Sequence, residues 1–396
     1  MFSSATTPPR FITLVFLTAI SVLSLNMFLP SLSNIARDLQ VDYWIVNLSI
    51  AGYLAISAVL QIVMGPLSDR WGRRPILLAA MGIFALASVG CLLAQNIWVF
   101  LGFRMLQSAV IAGMALSRAV IRDMALPKEA ARMMGYVSMV MALAPMLGPV
   151  VGGLIDQAFG WRVTFLLFAA LGVLVFVMAW VDLGETNTNT SDTFLSQFKT
   201  YPALVGSGLF WGHVVCQSCS VGAFYVFLAG APLVGEVAFD LSPAQVGIGM
   251  GAITGGFVIG NFFTGRYALR FSLGSMMVAG RVIAVLGIAM GLILMMLGYL
   301  HPVVLFGSVV FIGVGNGLTL PASNSGAMSV RPDLAGSASG LSGAAVVAAG
   351  AVLTFVTGAV LTQMTGPFVL MIILMGVNIL GLISAMYVRA VEPTLE

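Results

Sequence analysis

Apolar residues in this chain gather into long blocks that are separated by short polar segments. Each block approaches the roughly 20 residues that a helix needs to cross the apolar core of a bilayer. The blocks are too long for barrel strands and lack their alternating pattern, so they predict helices. The twelve predicted spans lie near residues 11–32, 43–66, 76–94, 97–119, 132–155, 162–182, 203–230, 243–264, 274–298, 303–325, 335–361 and 367–389.

One long polar segment separates the first six predicted spans from the last six. We therefore predict an N-terminal six-helix half at 1–183, a cytoplasmic linker at 184–201 and a C-terminal six-helix half at 202–396. The first apolar block is longer than a signal-peptide core of about 7–15 residues, and no small-residue cleavage site follows it. We expect this block to remain in the protein as its first membrane helix.

The composition also favours an all-α membrane protein. Hydrophobic residues make up 60% of the 396 residues and charged residues only 8%, whereas soluble domains contain about 25% charged residues. Cys91, Cys216 and Cys219 lie inside apolar blocks, so we expect packing roles rather than disulfides. The net charge of +3 is spread over short segments, and no nucleic-acid partner is expected.

The positions of lysine and arginine predict the orientation, because short cytoplasmic loops are enriched in both. With the N-terminus in the cytoplasm, thirteen of the 17 lysines and arginines fall on the cytoplasmic side. Only Arg37 and Arg162 fall on the outer side, while Arg104 and Arg281 lie within spans. We expect a multi-pass protein of the bacterial inner (plasma) membrane with both termini in the cytoplasm.

The segment that follows span two, GPLSDRWGRRP at residues 65–75, resembles the loop-2/3 motif of the major facilitator superfamily. Gly65 would allow close approach of a neighbouring helix. Asp69 would cap a helix N-terminus and pair with Arg73. The resemblance implies that this aspartate braces the two halves on the cytoplasmic side in the outward-open state. The alternative is a plain basic loop that only sets topology. The gating residues implied by the motif are Gly65, Asp69, Arg70, Arg73 and, at the end of span four, Asp123.

A weaker counterpart of this motif, at residues 260–266, follows span eight. The pair of motifs indicates two parallel repeats, which is a known plan of transporters. In that plan the substrate site lies between the halves, near the middle of the membrane.

Span five contains Gly148 and Pro149 followed by Gly152 and Gly153, which resembles the antiporter motif of the same superfamily. That motif occurs mostly in exporters. Proline bends a helix and glycine permits close packing, so we expect a hinge-like, tightly packed span in which these four residues contribute to gating. An ordinary kinked helix is the alternative.

Span four contains Arg104 and, three residues later, Gln107, which resembles another motif of the superfamily. An arginine at this depth is costly in a membrane and suggests a functional role. The alternative is a structural arginine that is anchored to backbone carbonyls and to Gln107.

At a finer level the chain resembles the Bcr/CflA branch of drug-resistance exporters, through residues 24–30, 53–61, 227–232 and 332–340. The resemblance implies a major facilitator fold, with about twelve helices in two six-helix halves around a central cavity. It also implies export of small, largely apolar compounds such as antibiotics, by alternating access and with proton antiport.

One position departs from the branch. Asn26 stands where relatives commonly have an aspartate that takes part in proton coupling. His213 is then the deep group whose unperturbed pKa lies near neutrality, which makes it the candidate proton carrier. A hydrogen-bonded packing histidine is the alternative.

The predicted substrate contacts are polar or aromatic residues on otherwise apolar helices, a common composition for binding cavities. Each of them would also fit a packing role. They are Asn26, Asn47, Tyr53, Arg104, Gln107, His213, Gln217, Phe224, Tyr225, Asn316 and Asn324.

Two other functions remain open from the sequence. An anionic metabolite could be the substrate, without proton coupling, because Arg104 lacks a partner carboxylate and would leave the cavity positive. A non-transporting assembly factor could also use the same fold. An enzyme is not expected, since His213 and His301 are the only histidines. We expect no catalytic residue, metal or cofactor, and a monomer whose partners are a small-molecule substrate, the lipid bilayer and protons.

Overall fold

The structure is a computed structural model, and nearly all of the chain that it describes is helical. Twelve of the described helices are long and apolar enough to cross a membrane, which confirms the twelve predicted spans. Most of the predicted linker, residues 188–200, lies outside the described residues. The described residues are 9–125, 127–187, 201–267, 270–331, 334–361 and 366–391.

The chain divides into two compact units, Met1–Leu195 and Ser196–Glu396. The first unit contains α1 (Phe11–Asp38), α2 (Tyr43–Trp71), α3 (Arg73–Leu93), α4 (Ile97–Met124), α5 (Pro127–Phe159) and α6 (Trp161–Asp182). The second unit contains α7 (Gly208–Phe239), α8 (Pro243–Tyr267), α9 (Leu273–Met296), α10 (Pro302–Ser329), α11 (Ala335–Val360) and α12 (Gly366–Val391).

The packing within each unit places the candidate residues. In the first unit α1 packs against α4, α5 and α6, while α3 packs against α6. In the second unit α10 packs against α8 and α9, and α7 packs against α10, α11 and α12. The exact ends of the predicted halves, at residues 183 and 202, stay a prediction.

The segment between α2 and α3 differs from the predicted loop. Residues 65–71 continue α2, with Pro66 inside the helix, and α3 begins at Arg73. Gly72 alone forms the connection, with a φ of 93° that glycine adopts readily and other residues rarely adopt. The motif is therefore mainly helical, and the prediction of a loop was wrong.

Two helices are interrupted near the middle of the first unit. In α1 the regular helix ends at Asn26 and resumes at Leu32 after a 3-10 turn, Leu29–Ser31. Pro30 lies in that turn, where its lack of an N–H breaks the helical hydrogen-bond pattern. In α4 a 3-10 turn, Gln107–Val110, separates two helical parts. Both interruptions lie close to Arg104.

Span seven also begins later than predicted. A short helix, Tyr201–Val205, precedes it, and α7 starts after Ser207, whose side chain accepts a hydrogen bond from the backbone N–H of Phe210. This N-terminal cap satisfies one of the free amides of the helix and fixes its start.

Candidate functional site

Arg104 is fully buried at the centre of a hydrogen-bonded network in the first unit. Its guanidinium donates to Oε1 of Gln107 at 2.7 Å and to the carbonyl oxygen of Ser24 at 2.8 Å. The guanidinium also lies over the rings of Phe28 and Tyr53, at 4.2 and 4.3 Å from their centroids. Neutral oxygens and aromatic faces thus surround the charge, and they offset part of its burial cost.

The interruption of α1 explains why Arg104 finds a backbone partner. Ser24 lies in the last turn before the break, where helix carbonyls lack intrahelical donors. The hydroxyl of Ser24 hydrogen bonds with that of Tyr53 at 2.9 Å, and Gln107 donates to the hydroxyl of Ser88 at 2.7 Å. The network therefore joins α1, α2, α3 and α4. This geometry fits the anchored arginine that the sequence left as an alternative.

Asn26 lies beside the glycine motif of α5. It is buried, its Nδ2 donates to the carbonyl of Val22 at 2.8 Å, and its Oδ1 has no partner among the described residues. A Cβ placed at Gly148 would lie 3.3 Å from the Cβ of Asn26, and one at Gly152 would overlap the backbone of Met27. The close packing predicted for the motif is therefore present, between α5 and the break in α1.

The other two residues of that motif are also well enclosed. Pro149 and Gly153 are both buried, and Pro149 lies inside a helix that continues to Phe159. Asn47, a further predicted substrate contact, is buried on α2, about two turns before Tyr53.

Four predicted substrate contacts follow one another along α7. His213 is buried against Gly326 of α10, and its Nδ1 has no hydrogen-bond partner among the described residues. Gln217 is half-buried. The half-buried rings of Phe224 and Tyr225 lie 5.7 Å apart, and Tyr225 packs against a glycine of α11.

The remaining two contacts lie on α10 and differ in exposure. Asn316 is buried and uses both amide atoms within the second unit, since Nδ2 donates to the carbonyl of Ser220 and Oδ1 accepts from Arg281. The side chain of Asn324 is exposed.

Arg281, a second arginine within a span, has no role predicted from the sequence. It is fully buried on α9 and donates to Thr319, Asn316 and Asn378. An arginine inside an apolar block was the available signal, as it was for Arg104. Its partners, however, lie 35 to 97 positions away along the chain.

The motif at residues 65–75 forms an ion cluster around Arg73, which is 5% exposed. Its guanidinium lies 2.7 Å from Oδ1 of Asp69 and 3.2 Å from Oδ2 of Asp123, and it also donates to the hydroxyl of Ser68. The predicted pair of Asp69 and Arg73 is therefore present, together with Asp123. The side chain of Arg70 is exposed. The gating role of these residues stays a prediction.

The helix cap at this motif is not the predicted one. Glu185, which follows α6, accepts hydrogen bonds from the backbone N–H groups of Arg73 at 2.9 Å and of Arg74 at 3.2 Å. A carboxylate at this position satisfies two free amides and interacts favourably with the positive end of the helix dipole. Asp69 itself lies in the last turn of α2 and does not cap α3, so its capping of another helix stays a prediction.

Asn187 completes this contact on the other side of the turn. Its side chain donates to the carbonyls of Asp69 at 3.0 Å and of Ser68 at 3.4 Å, near the end of α2. Residues 185–187, named here the strap, thus bond to the end of α2 and to the start of α3.

Gly65 lacks the close helix contact that was predicted for it. A Cβ placed at Gly65 would meet no atom of the described residues within 4 Å. The close approach expected at this glycine is therefore absent from the described structure.

Comparison with known proteins identifies the family of this chain. The family model of the Major Facilitator Superfamily matches residues 14–353. Multidrug resistance protein D of Escherichia coli (strain K12) is 27% identical over 333 residues, which cover 83% of each chain. The chloramphenicol resistance protein of Pseudomonas aeruginosa is 31% identical over 238 residues, which cover 58% of this chain and 56% of that protein.

A solved structure shares the fold at low sequence identity. It is a bacterial homolog to the human lysosomal transporter Spinster, in an inward-facing and occupied conformation. The match has a TM-score of 0.75 and 16% identity, and it covers 98% of this chain and 97% of that one.

Proposed function

Because this chain belongs to the Major Facilitator Superfamily, and so is a multi-pass membrane transporter rather than an enzyme, we propose that it exports small, largely apolar compounds. Export would proceed by alternating access in the bacterial inner membrane, with protons moving inward in exchange. The names of the two relatives, a multidrug resistance protein and a chloramphenicol resistance protein, support a drug-like substrate.

The surroundings of Arg104 are the observation that supports an uncharged substrate best. Its guanidinium is fully buried, with hydrogen bonds to Gln107 and to the carbonyl of Ser24 and with aromatic rings over it. The other predicted contacts are amides, aromatic rings, two phenol hydroxyls and one histidine. Such neutral groups suit uncharged compounds better than anions, since an anion needs an available positive partner. The anionic-metabolite alternative relied on an available Arg104, and this geometry weakens it.

Transport into proteoliposomes tests the proposal directly. The purified protein is reconstituted, and uptake of a neutral compound (chloramphenicol), a lipophilic cation and an organic acid is measured with and without a pH gradient. We expect uptake of the neutral compound to exceed that of the acid. This uptake should rise when the interior of the liposomes is acidic, so that protons flow out as the compound enters. Transport of the acid alone would favour the anion carrier, and transport of none would favour a non-transporting role.

We propose that His213 exchanges the proton, since Asn26 cannot titrate. The ring of His213 is buried, and its Nδ1 has no hydrogen-bond partner among the described residues. A proton can therefore be added at Nδ1 without breaking a hydrogen bond. His213→Gln should abolish accumulation driven by a pH gradient while leaving counterflow exchange of substrate intact. The matched control is His301→Gln, because His301 is exposed and caps the start of α10. Full pH-driven accumulation in His213→Gln would reject histidine coupling.

A further inference from the structure

Arg281 has neutral partners on two other helices of the second unit. Its guanidinium donates to the hydroxyl of Thr319 at 3.1 Å, to Oδ1 of Asn378 at 3.1 Å and to Oδ1 of Asn316 at 2.6 Å. A fully buried guanidinium is costly unless its N–H groups find acceptors, and here Nε, Nη1 and Nη2 each have one. Helices α9, α10 and α12 are thus joined at one side chain.

The guanidinium also fixes the orientation of the Asn316 amide. Arginine only donates hydrogen bonds, so the amide oxygen of Asn316 must face Arg281 and the amide nitrogen must face the other way. That nitrogen donates to the carbonyl oxygen of Ser220 on α7 at 3.0 Å. The chain of contacts therefore runs from α9 through α10 to α7.

Ser220 lies in the part of α7 that holds predicted substrate contacts. Gln217 precedes it by three residues and Phe224 follows it by four, and these spacings place all three on neighbouring positions of one helix face. A bond to the Ser220 carbonyl therefore holds the helix between these two contacts.

We propose that Arg281 is a positioning residue, which orients Asn316 so that its amide holds the middle of α7 and thereby sets substrate affinity at Gln217 and Phe224. The part of this proposal that concerns affinity rests on the proposed transport function. The part that concerns the position of α7 does not.

Asn378 provides a matched comparison within the same cluster. Like Asn316, it accepts a hydrogen bond from Arg281 through Oδ1. Its Nδ2, however, donates to the carbonyl of Leu374 on its own helix, at 2.8 Å. The two asparagines thus differ in whether their second bond reaches α7.

The test compares Asn316→Asp with Asn378→Asp. Both variants keep an oxygen for Arg281 and place a carboxylate beside it, but only Asn316→Asp replaces the donor to Ser220 by an oxygen that repels that carbonyl. We expect Asn316→Asp to raise the KM for chloramphenicol about tenfold with little change in maximal rate, and Asn378→Asp to stay within about twofold of wild type.

A second measurement reports on α7 without transport. Cys216 and Cys219 lie on this helix, are free, and are 0% and 5% exposed. With Cys91 replaced by alanine in every protein, labelling by N-ethylmaleimide in detergent reports on these two thiols. We expect labelling to be about tenfold faster in Asn316→Asp and unchanged in Asn378→Asp. Should Asn316→Asp fail to fold, Arg281→Lys replaces it, because a compact ammonium does not reproduce the planar fork of donors that orients Asn316.

The outcomes separate the two proposals. Equal changes in the two aspartate variants, or unchanged labelling in a folded Asn316→Asp or Arg281→Lys protein, would overturn the positioning role. If the wild-type protein transports no compound, the proposed function fails, and the labelling rates still decide whether Arg281 and Asn316 hold α7.

Discussion

Arg73 and Arg104 are both buried, but their guanidinium groups have different kinds of partner. Arg73 lies between two carboxylates, Asp69 and Asp123, near the C-terminal ends of α2 and α4. Arg104 has only neutral acceptors and aromatic rings. If either Asp69 or Asp123 moves away, the other carboxylate still pairs with Arg73. The buried guanidinium of Arg104, by contrast, loses a hydrogen bond whenever one of its neutral partners moves. The cluster at Arg73 therefore suits a contact that changes during transport, and the network at Arg104 suits a fixed one.

This contrast gives a prediction for Asp69→Asn. The amide keeps the shape of the side chain but removes a charge-assisted bond to Arg73, and such bonds are worth roughly 1.5–3 kcal/mol. We expect the protein to fold and insert normally, with a transport rate lower by about tenfold or more, because the balance between conformations shifts. The measurement is substrate uptake by the purified protein in liposomes. The control is Glu129→Gln, which removes the same charge from an exposed side chain. Wild-type transport in a well-folded Asp69→Asn protein would refute the gating role.

At the scale of helices, the contact between α5 and α1 depends on two glycines placed one turn apart. Gly148 faces Asn26 and Gly152 faces the backbone of Met27, at the point where α1 loses its regular hydrogen bonds. Small residues spaced by four positions let membrane helices approach closely. The break in α1 is thus held from one side by α5 and from another by Arg104.

A prediction follows for Gly152→Ala. The added methyl would overlap the Met27 backbone, which cannot move as a flexible side chain would, and overpacking of this kind typically costs about 1–3 kcal/mol. We expect a lower melting temperature in detergent and reduced transport. Gly135→Ala is the control on the same helix, since a Cβ there meets no described atom within 4 Å. Equal melting temperatures for the two variants would contradict the close contact.

At the scale of the whole molecule, the distribution of arginine and lysine predicts which ends of the helices face the cytoplasm. The helix α9 offers a direct test, because an exposed apolar residue lies just beyond each of its ends, Phe271 before it and Leu300 after it. The segment with Phe271 also contains Arg270 and is predicted to be cytoplasmic.

We therefore expect opposite labelling of Phe271→Cys and Leu300→Cys in intact cells. The native cysteines are buried, so they contribute little background. A membrane-impermeant maleimide should label Leu300→Cys, and Phe271→Cys should react only with a permeant reagent or after lysis. The reverse pattern would invert the predicted topology of the second half. The linker site Thr188, predicted to be cytoplasmic, lies outside the described residues and can be tested in the same way.

The parts of this structure that the sequence predicts are those that depend on neighbours along a helix. Long apolar blocks predict the spans, and the pairs Asp69–Arg73 and Arg104–Gln107 follow from helical spacing of four and three residues. The partner of the α3 amides, Glu185, lies 112 positions from Arg73. Such contacts depend on which helices pack together and in what register, so local pattern does not indicate them. The same reason explains why the partners of Arg281 were missed.

The contacts of the strap can form only late in the synthesis of the first unit. Glu185 leaves the ribosome 112 residues after Arg73, an interval of roughly 6–20 s at typical rates of synthesis. Throughout that interval the first amides of α3 and the last carbonyls of α2 lack the partners described above. Until Glu185 emerges, the turn between α2 and α3 therefore stays without its cap. The segment that follows α6 thus completes a turn, between α2 and α3, that left the ribosome 112 residues earlier.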